Sequence, residues 1–156
     1  MKALVQRVLR ARVTVEGAVR GEIGPGLLVL LGAGVEDGQE QATWLARRVS
    51  TLRVFGDAAG QMNLDLHQAG GAVLVVPQFT LYGDARHGRR PDFTGAARPG
   101  QAEPLFEHFC ALLGGHGVPV QRGVFGAHMQ VELVNDGPVT LMLETPPGPQ
   151  APGEGS

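Results

Sequence analysis

"AVLVVPQFTLYGDARHGRRPDF", residues 72–93, is the stretch on which both fold and function turn. An apolar run from Ala72 to Val76 meets Pro77, and polar residues then alternate with apolar ones up to Tyr82. That pattern predicts a strand ending near Tyr82, with alternate side chains sharing a face. Gln78, Thr80 and Tyr82 then lie together, and Pro77, Phe79 and Leu81 point the other way. Proline donates no backbone hydrogen bond, so the ladder is interrupted or at an edge there. N–H groups nearby are left free to bind something else. From these residues alone two readings stand. Gln78 and Thr80 pair with a neighbouring loop, which is the commoner use of such groups, or they face a ligand.

On the N-terminal side, "ALVQRVLRARVTVEGAVRGEI" reads as strands, with Val13, Val15 and Val19 flanking a Glu16-Gly17 turn in the manner of a hairpin. "GLLVLLGAG" is a continuous apolar run, expected as a strand buried on both faces. Asp37 is positioned to cap a helix over Gly38 to Leu52, with Trp44, Leu45, Val49 and Leu52 on one stripe. On the C-terminal side, Gln101 to Leu113 predicts a second helix with an apolar face of Leu105, Phe106, Phe109, Leu112 and Leu113. Cys110 joins that face and is expected to be packed, not reactive. "HMQVELVNDGPVTLMLE" reads as two strands joined at "NDGP". The sum is α+β: a single domain over residues 1–145, with about eight strands in curled, barrel-like sheets and two main helices packed outside. Residues 146–156, "PPGPQAPGEGS", are too poor in apolar side chains to offset ordering entropy and are expected to be a disordered tail. Gly83 to Gly100 shows neither helical nor strand period, and a loop that long inside a compact domain is usually functional or mobile.

The chain's 43% hydrophobic and 18% charged residues suit a globular domain, and no apolar run approaches the roughly 20 residues of a membrane span. The first residues lack a signal peptide's apolar core and cleavage site. With Cys110 as the single cysteine, an internal disulfide is excluded, and a reducing cytoplasm is the expected compartment. The net charge of −2 leaves any nucleic-acid partner to a local basic patch. Twelve of the thirteen basic residues are arginine, whose planar fork suits phosphate; a compositional bias of the source genome accounts for this equally well.

Several chemistries have no footing in the sequence. No His, Cys and carboxylate cluster has metal-ligand spacing, so no metal and no other cofactor is expected. There is no Walker A sequence and no Gly-x-Ser-x-Gly. His67, His87, His108, His116 and His128 are scattered without visible partners. What remains beside the opening stretch is "VNDGPVT", residues 134–140. It is a turn signal, yet its Gly137-Pro138 bond can reach the cis form at about 0.5–1 kcal/mol. That form presents two carbonyl oxygens in nearly parallel directions, suited to reading a small ligand.

"PQFTL" together with "NDGPVT" resembles the paired signature of the D-aminoacyl-tRNA deacylases, and the flanking "ALVQRVLRARVTVEG", "GEIGPGLLVLLG", "MNLD" and "AGGAVLVV" resemble that family too. The likeness runs from Met1 to about Glu144. It implies hydrolysis of the ester between a D-amino acid, or mischarged glycine, and the terminal adenosine of tRNA. It further implies that Gln78, Phe79 and Thr80 line the catalytic pocket. Gly137 and Pro138 would form a Gly-cis-Pro element that reaches into the pocket of a second subunit, holds the amino group and excludes an L side chain. Arg7 resembles the arginine that braces this element. A homodimer with two composite sites follows. The family motif usually begins with serine; here that position is Pro77, so a catalytic serine hydroxyl is excluded.

An aminoacyl ester is already activated, so water, an oxyanion site and orientation suffice, with help from the neighbouring 2′-hydroxyl of tRNA that the resemblance implies. Thr80 is then a positioning residue or, alternatively, the nucleophile; no base in its motif activates it. Arg86, His87, Arg89 and Arg90 are candidate contacts to tRNA phosphates, set against the plainer reading of a solvated loop. The competing function is a non-catalytic RNA- or small-molecule-binding dimer on the same fold.

Overall fold

The computed structural model describes residues 1–146, so the expected tail, beyond Pro146, lies outside the described residues. The chain runs β1 (Lys2–Val15), β2 (Ala18–Ile23), β3 (Gly26–Gly32), α1 (Gln39–Thr51), β4 (Phe55–Gly56), β5 (Met62–Leu64), α2 (Leu66–Ala69), β6 (Ala72–Pro77), a 3-10 turn (Phe79–Tyr82), α3 (Pro99–Gly115), β7 (Val120–Arg122) and β8 (Gln130–Glu144).

The long strand β1 organises the sheet. Its first half pairs antiparallel with β3, its second half with β2, and β8 follows it along the other edge. Beyond β3 the order continues through β6 and β7, both parallel to their neighbours. The sheet curls until its ends approach: a Cβ on Gly21 of β2 would meet the Arg122 carbonyl of β7 at 2.9 Å. This is the barrel-like α+β architecture that the sequence predicts. Glu16 (φ 49°) and Gly17 (φ 78°) supply the two left-handed positions that a two-residue hairpin turn requires.

The period of two divides the core. Leu27, Val29 and Leu31 of β3, with Val73 and Val75 of β6, face the helices and pack on Leu45, Val49, Phe109 and Leu113. Leu28, Leu74 and Val76 point to the inside of the curl, against Val8, Val13 and Ile23. β3 is thus buried on both faces, as its apolar run predicts.

Three expectations need correction. Asp37 does not cap α1. Gly38 takes that place, its N–H donating to Gln41 Oε1 at 2.8 Å, while the Asp37 carboxylate turns inward. α2 is a short helix not read from the sequence; Asp65 accepts the Gln68 N–H at 2.9 Å, and Gln68 Oε1 accepts the Asp65 N–H at 3.0 Å. Finally, "NDGP" does not join two strands of a hairpin, because the chain keeps its direction. Two steps along β1, from Gln6 to Val8, are matched by five along β8, from Thr140 back to Asn135. The excess bulges out of the strand with Gly137 and Pro138 at its tip, both exposed.

Cys110 is buried, and burial pushes its thiol up to about 12. It is therefore a neutral, inaccessible thiol at pH 8. Iodoacetamide should leave it unmodified in the native protein and alkylate it fully in denaturant, as intact-mass measurement would show.

Candidate active site

The strand of the opening stretch ends at Pro77, earlier than its pattern predicts, and Gln78, Thr80 and Tyr82 do not share a strand face. The cause lies in the neighbours. In a strand, successive N–H groups point to opposite sides. Val73 donates toward β7 (to Pro119 O, 2.9 Å) and Gln78 toward β3 (to Leu31 O, 2.8 Å). The side that Pro77 would serve is the β7 side, and the β6–β7 pairing already stops at Val75–Arg122. The missing proline N–H breaks no ladder bond. Past Gln78 the backbone winds into a 3-10 turn, with Leu81 N–H donating to Gln78 O (3.3 Å) and Gly83 N–H to Thr80 O (2.9 Å).

The turn is tied down at its far end. Tyr82 donates its hydroxyl to Asp37 Oδ2 at 3.1 Å. The same oxygen accepts the Gly34 N–H at 2.6 Å and lies 2.8 Å from the Met1 ammonium. Burial, reinforced by the Asp37 charge, pushes the Tyr82 hydroxyl well above its ordinary range, so it stays a donor. At the near end, a Cβ on Gly32 would meet Gln78 O at 2.9 Å. Between these anchors the N–H groups of Phe79 and Thr80 have no acceptor among the described residues. These are the first donors of a helical turn, which nothing inside the turn can satisfy. Gln78 Nε2 donates to Thr80 Oγ1.

Gln78 and Phe79 line a cavity of about 600 Å³ at the ends of β3 and β6. Its other walls include Phe93, Phe106, Phe125 and Met129, with Arg98 and His128 as further polar members. Phe93 stands edge-on to Phe79, ring centres 5.3 Å apart. Thr80, the next residue along the turn, is exposed and is not part of the lining. Sequence reading missed Phe93, Arg98, Phe125 and Met129 as cavity residues.

Gly137 and Pro138 stand elsewhere. Their peptide bond is cis, and Arg7 lies under them. Arg7 Nε donates to Asp136 O at 3.1 Å, and its Nη1 donates to Val54 O at 2.6 Å. Asn135 Nδ2 donates to Arg7 O (2.9 Å) and Val139 O (3.1 Å), closing the base of the bulge. Arg7 pairs with Leu27 at the start of β3, whereas on that strand the cavity begins at Leu31. Four residues at roughly 3.3 Å each separate them by about 13 Å along the sheet. Within one chain the bulge and the cavity do not meet.

The loop 83–98 is pinned by the Asp84–Asp92 bridge and by Gly34–Ala96. Arg86 forks onto Asp84, with bonds of 2.9 and 2.7 Å, and these hold the Asp84 carboxyl down to about 2. His87, Arg89 and Arg90 are exposed and have no carboxylate partner among the described residues. No group of three or more metal-ligating side chains is gathered among the described residues, and no described helix is long and apolar enough to cross a membrane.

With this geometry in place, comparison with known proteins decides the family. Residues 4–144 match the family described as D-Tyr-tRNA(Tyr) deacylase. The chain belongs to that family. It is similar to the D-aminoacyl-tRNA deacylase of Myxococcus xanthus, 56% identical over 97% of this chain and 99% of that protein. The D-aminoacyl-tRNA deacylase of Deinococcus radiodurans is 55% identical over 92% of this chain and 99% of its own length. Among solved structures, the c-Myc DNA Unwinding Element Binding Protein superposes with a TM-score of 0.88 at 41% identity, covering 94% of this chain and 100% of that one. A probable eukaryotic D-amino acid tRNA deacylase shares the fold at a TM-score of 0.80 and 17% identity, covering 91% of this chain and 97% of that one. This deacylase is therefore an ester hydrolase built on a barrel-like sheet, with its cavity at the ends of two parallel strands.

Proposed function

We propose that this deacylase hydrolyses the ester joining a D-amino acid to the terminal adenosine of tRNA, accepts glycine mischarged on tRNA, and rejects L-aminoacyl-tRNA. The observation that carries this reading is the pair of unsatisfied N–H groups on Phe79 and Thr80, fixed beside the opening of an apolar cavity. Two adjacent unsatisfied backbone donors suit the oxyanion that develops as water attacks an ester carbonyl, each worth roughly 3–4 kcal/mol. The cavity suits a planar base between Phe79, Phe93, Phe125 and Met129. Thr80 then orients the ester or the attacking water. Its described hydroxyl partner is an amide, which is no base, and this favours positioning over nucleophilic attack.

Chiral selection is assigned to Gly137 and Pro138 of a second copy, because the bulge of a single chain stands too far from its own cavity. Its two carbonyls would hold the substrate ammonium and leave no room for an L side chain, while glycine and many D side chains pass. A two-fold homodimer carries two such composite sites. His87, Arg89 and Arg90, together with Arg86, would meet the acceptor-stem phosphates. The cytoplasm, where tRNA is charged, is the matching compartment.

Gly137→Ala tests the bulge. The added Cβ would lie 2.6 Å from Arg7 Nη2, at a φ of +121° that side chains disfavour. Loss of about 1–3 kcal/mol of stability is expected, with at least a tenfold fall in D-tyrosyl-tRNA deacylation; melting curves and ester-hydrolysis rates measure both. For the function itself, wild-type protein incubated with D-tyrosyl-, glycyl- and L-tyrosyl-tRNA should release the first two amino acids and spare the third. Equal loss of the D and L esters would refute the proposed selectivity, and loss of neither would refute the activity.

A further inference from the structure

We propose that Arg98 is a substrate-binding residue that takes the phosphate joining the terminal nucleotide of tRNA to the nucleotide before it. The inference rests on the reading that the cavity holds the terminal adenosine.

The cavity lining contains no carboxylate. Its polar exposed side chains are Arg98 and His128, with Gln78 half-buried beside them. A nucleoside fits aromatic and thioether walls, but a phosphate does not. Burying its charge without a partner would be prohibitive, so it must remain at the rim. Arg98 is exposed there. Arg7, Arg12, Arg86 and Arg122 each stand next to a carboxylate, whereas Arg98 has none within ion-pair distance among the described residues. Its charge is uncompensated next to a cavity that offers the rest of a nucleotide what it needs.

Its root is rigid while its head is free. Ala97 N–H donates to Ala33 O at 2.9 Å, and Arg98 O accepts the N–H groups of Gln101 (2.9 Å) and Ala102 (2.8 Å) as the first turn of α3. Pro99 follows immediately and fixes the next backbone angle. The guanidinium fork is thus carried on a fixed stem, and its planar donors match two phosphate oxygens at once.

The test compares two substrates that differ in this phosphate: D-tyrosyl-tRNA, and D-tyrosyl-adenosine, whose 5′ position carries none. For Arg98→Gln, the ratio of kcat/KM on tRNA to kcat/KM on the adenosine ester should fall about tenfold, through KM and not kcat. The salt dependence of KM on tRNA should become shallower by about one unit of slope. Arg98→Lys should restore most of the ratio. An unchanged ratio for Arg98→Gln, whether because both substrates suffer equally or because neither does, overturns the proposal. A wild-type protein that hydrolyses neither ester overturns the functional reading beneath it as well.

Discussion

Gly26→Ala should fail to give a folded protein at 37 °C. Gly26 opens β3, the strand held between β1 and β6, and pairs with Val8 on one side and Ala72 on the other. A Cβ there would lie 1.8 Å from the Ala72 carbonyl oxygen and 2.8 Å from both its carbonyl carbon and its nitrogen. These are backbone atoms in the middle of the sheet, so no side-chain rotation relieves the clash. Either β6 parts from β3 at its first pair or the strand slips. A slip by one residue would turn Leu27 and Val29 away from the helices and Leu28 into them. A loss of more than about 4 kcal/mol is expected, against a total that is only about 5–15 kcal/mol for a domain. Gly24→Ala is the control. Nothing lies within 4 Å of its Cβ, and its melting temperature should stay within a few degrees of wild type. Circular dichroism melts of the two variants decide the matter; a Gly26→Ala protein that melts like Gly24→Ala would mean that β3 and β6 are not paired in this register.

Thr80→Ala should lower the rate of D-tyrosyl-tRNA deacylation by about 10²–10³-fold, the scale of removing one preorganised polar contact to a reacting ester. Turnover should remain measurable, because the N–H groups of Phe79 and Thr80 survive the substitution. Thr80 is exposed, so the melting temperature should barely move, which separates a catalytic effect from a folding one. A covalent aminoacyl-Thr80 adduct trapped by mass spectrometry, with no turnover at all in Thr80→Ala, would make Thr80 the nucleophile instead.

What the sequence revealed and what it hid follow from where each decision is made. The Glu16-Gly17 hairpin, the two-faced burial of β3 and the stripes of α1 and α3 are local patterns, and they read correctly. The end of β6 is not local. It depends on where β7 stops, more than forty residues further along, so alternating polarity beyond Pro77 looked like strand when it was a turn. The inward turn of the Asp37 carboxylate is not local either: beside the nearby Gly34 N–H, its partners Tyr82 and Met1 come from distant parts of the chain. The α2 capping pair, Asp65 and Gln68, was visible but too short to carry a periodic signal. "NDGP" was legible as an irregularity, yet only pairing with β1 on both sides of it distinguishes a bulge from a hairpin. Of the motif residues, Gln78 and Phe79 line a cavity, and Thr80 follows them outside its lining. The walls opposite them, Phe93, Arg98, Phe125 and Met129, carry no common spacing and became visible only once folded.

The measurement that bears most directly on a site shared between two copies is complementation. Thr80→Ala and Gly137→Ala proteins, each of low activity alone, are co-refolded in equal amounts and assayed on D-tyrosyl-tRNA. A mixed dimer pairs an intact Thr80 of one copy with an intact Gly137 of the other, which restores one of its two sites. Random pairing makes half the dimers mixed, so about a quarter of wild-type activity should return. A mixture no more active than the average of its two parents would contradict the composite site and place chiral selection within a single chain.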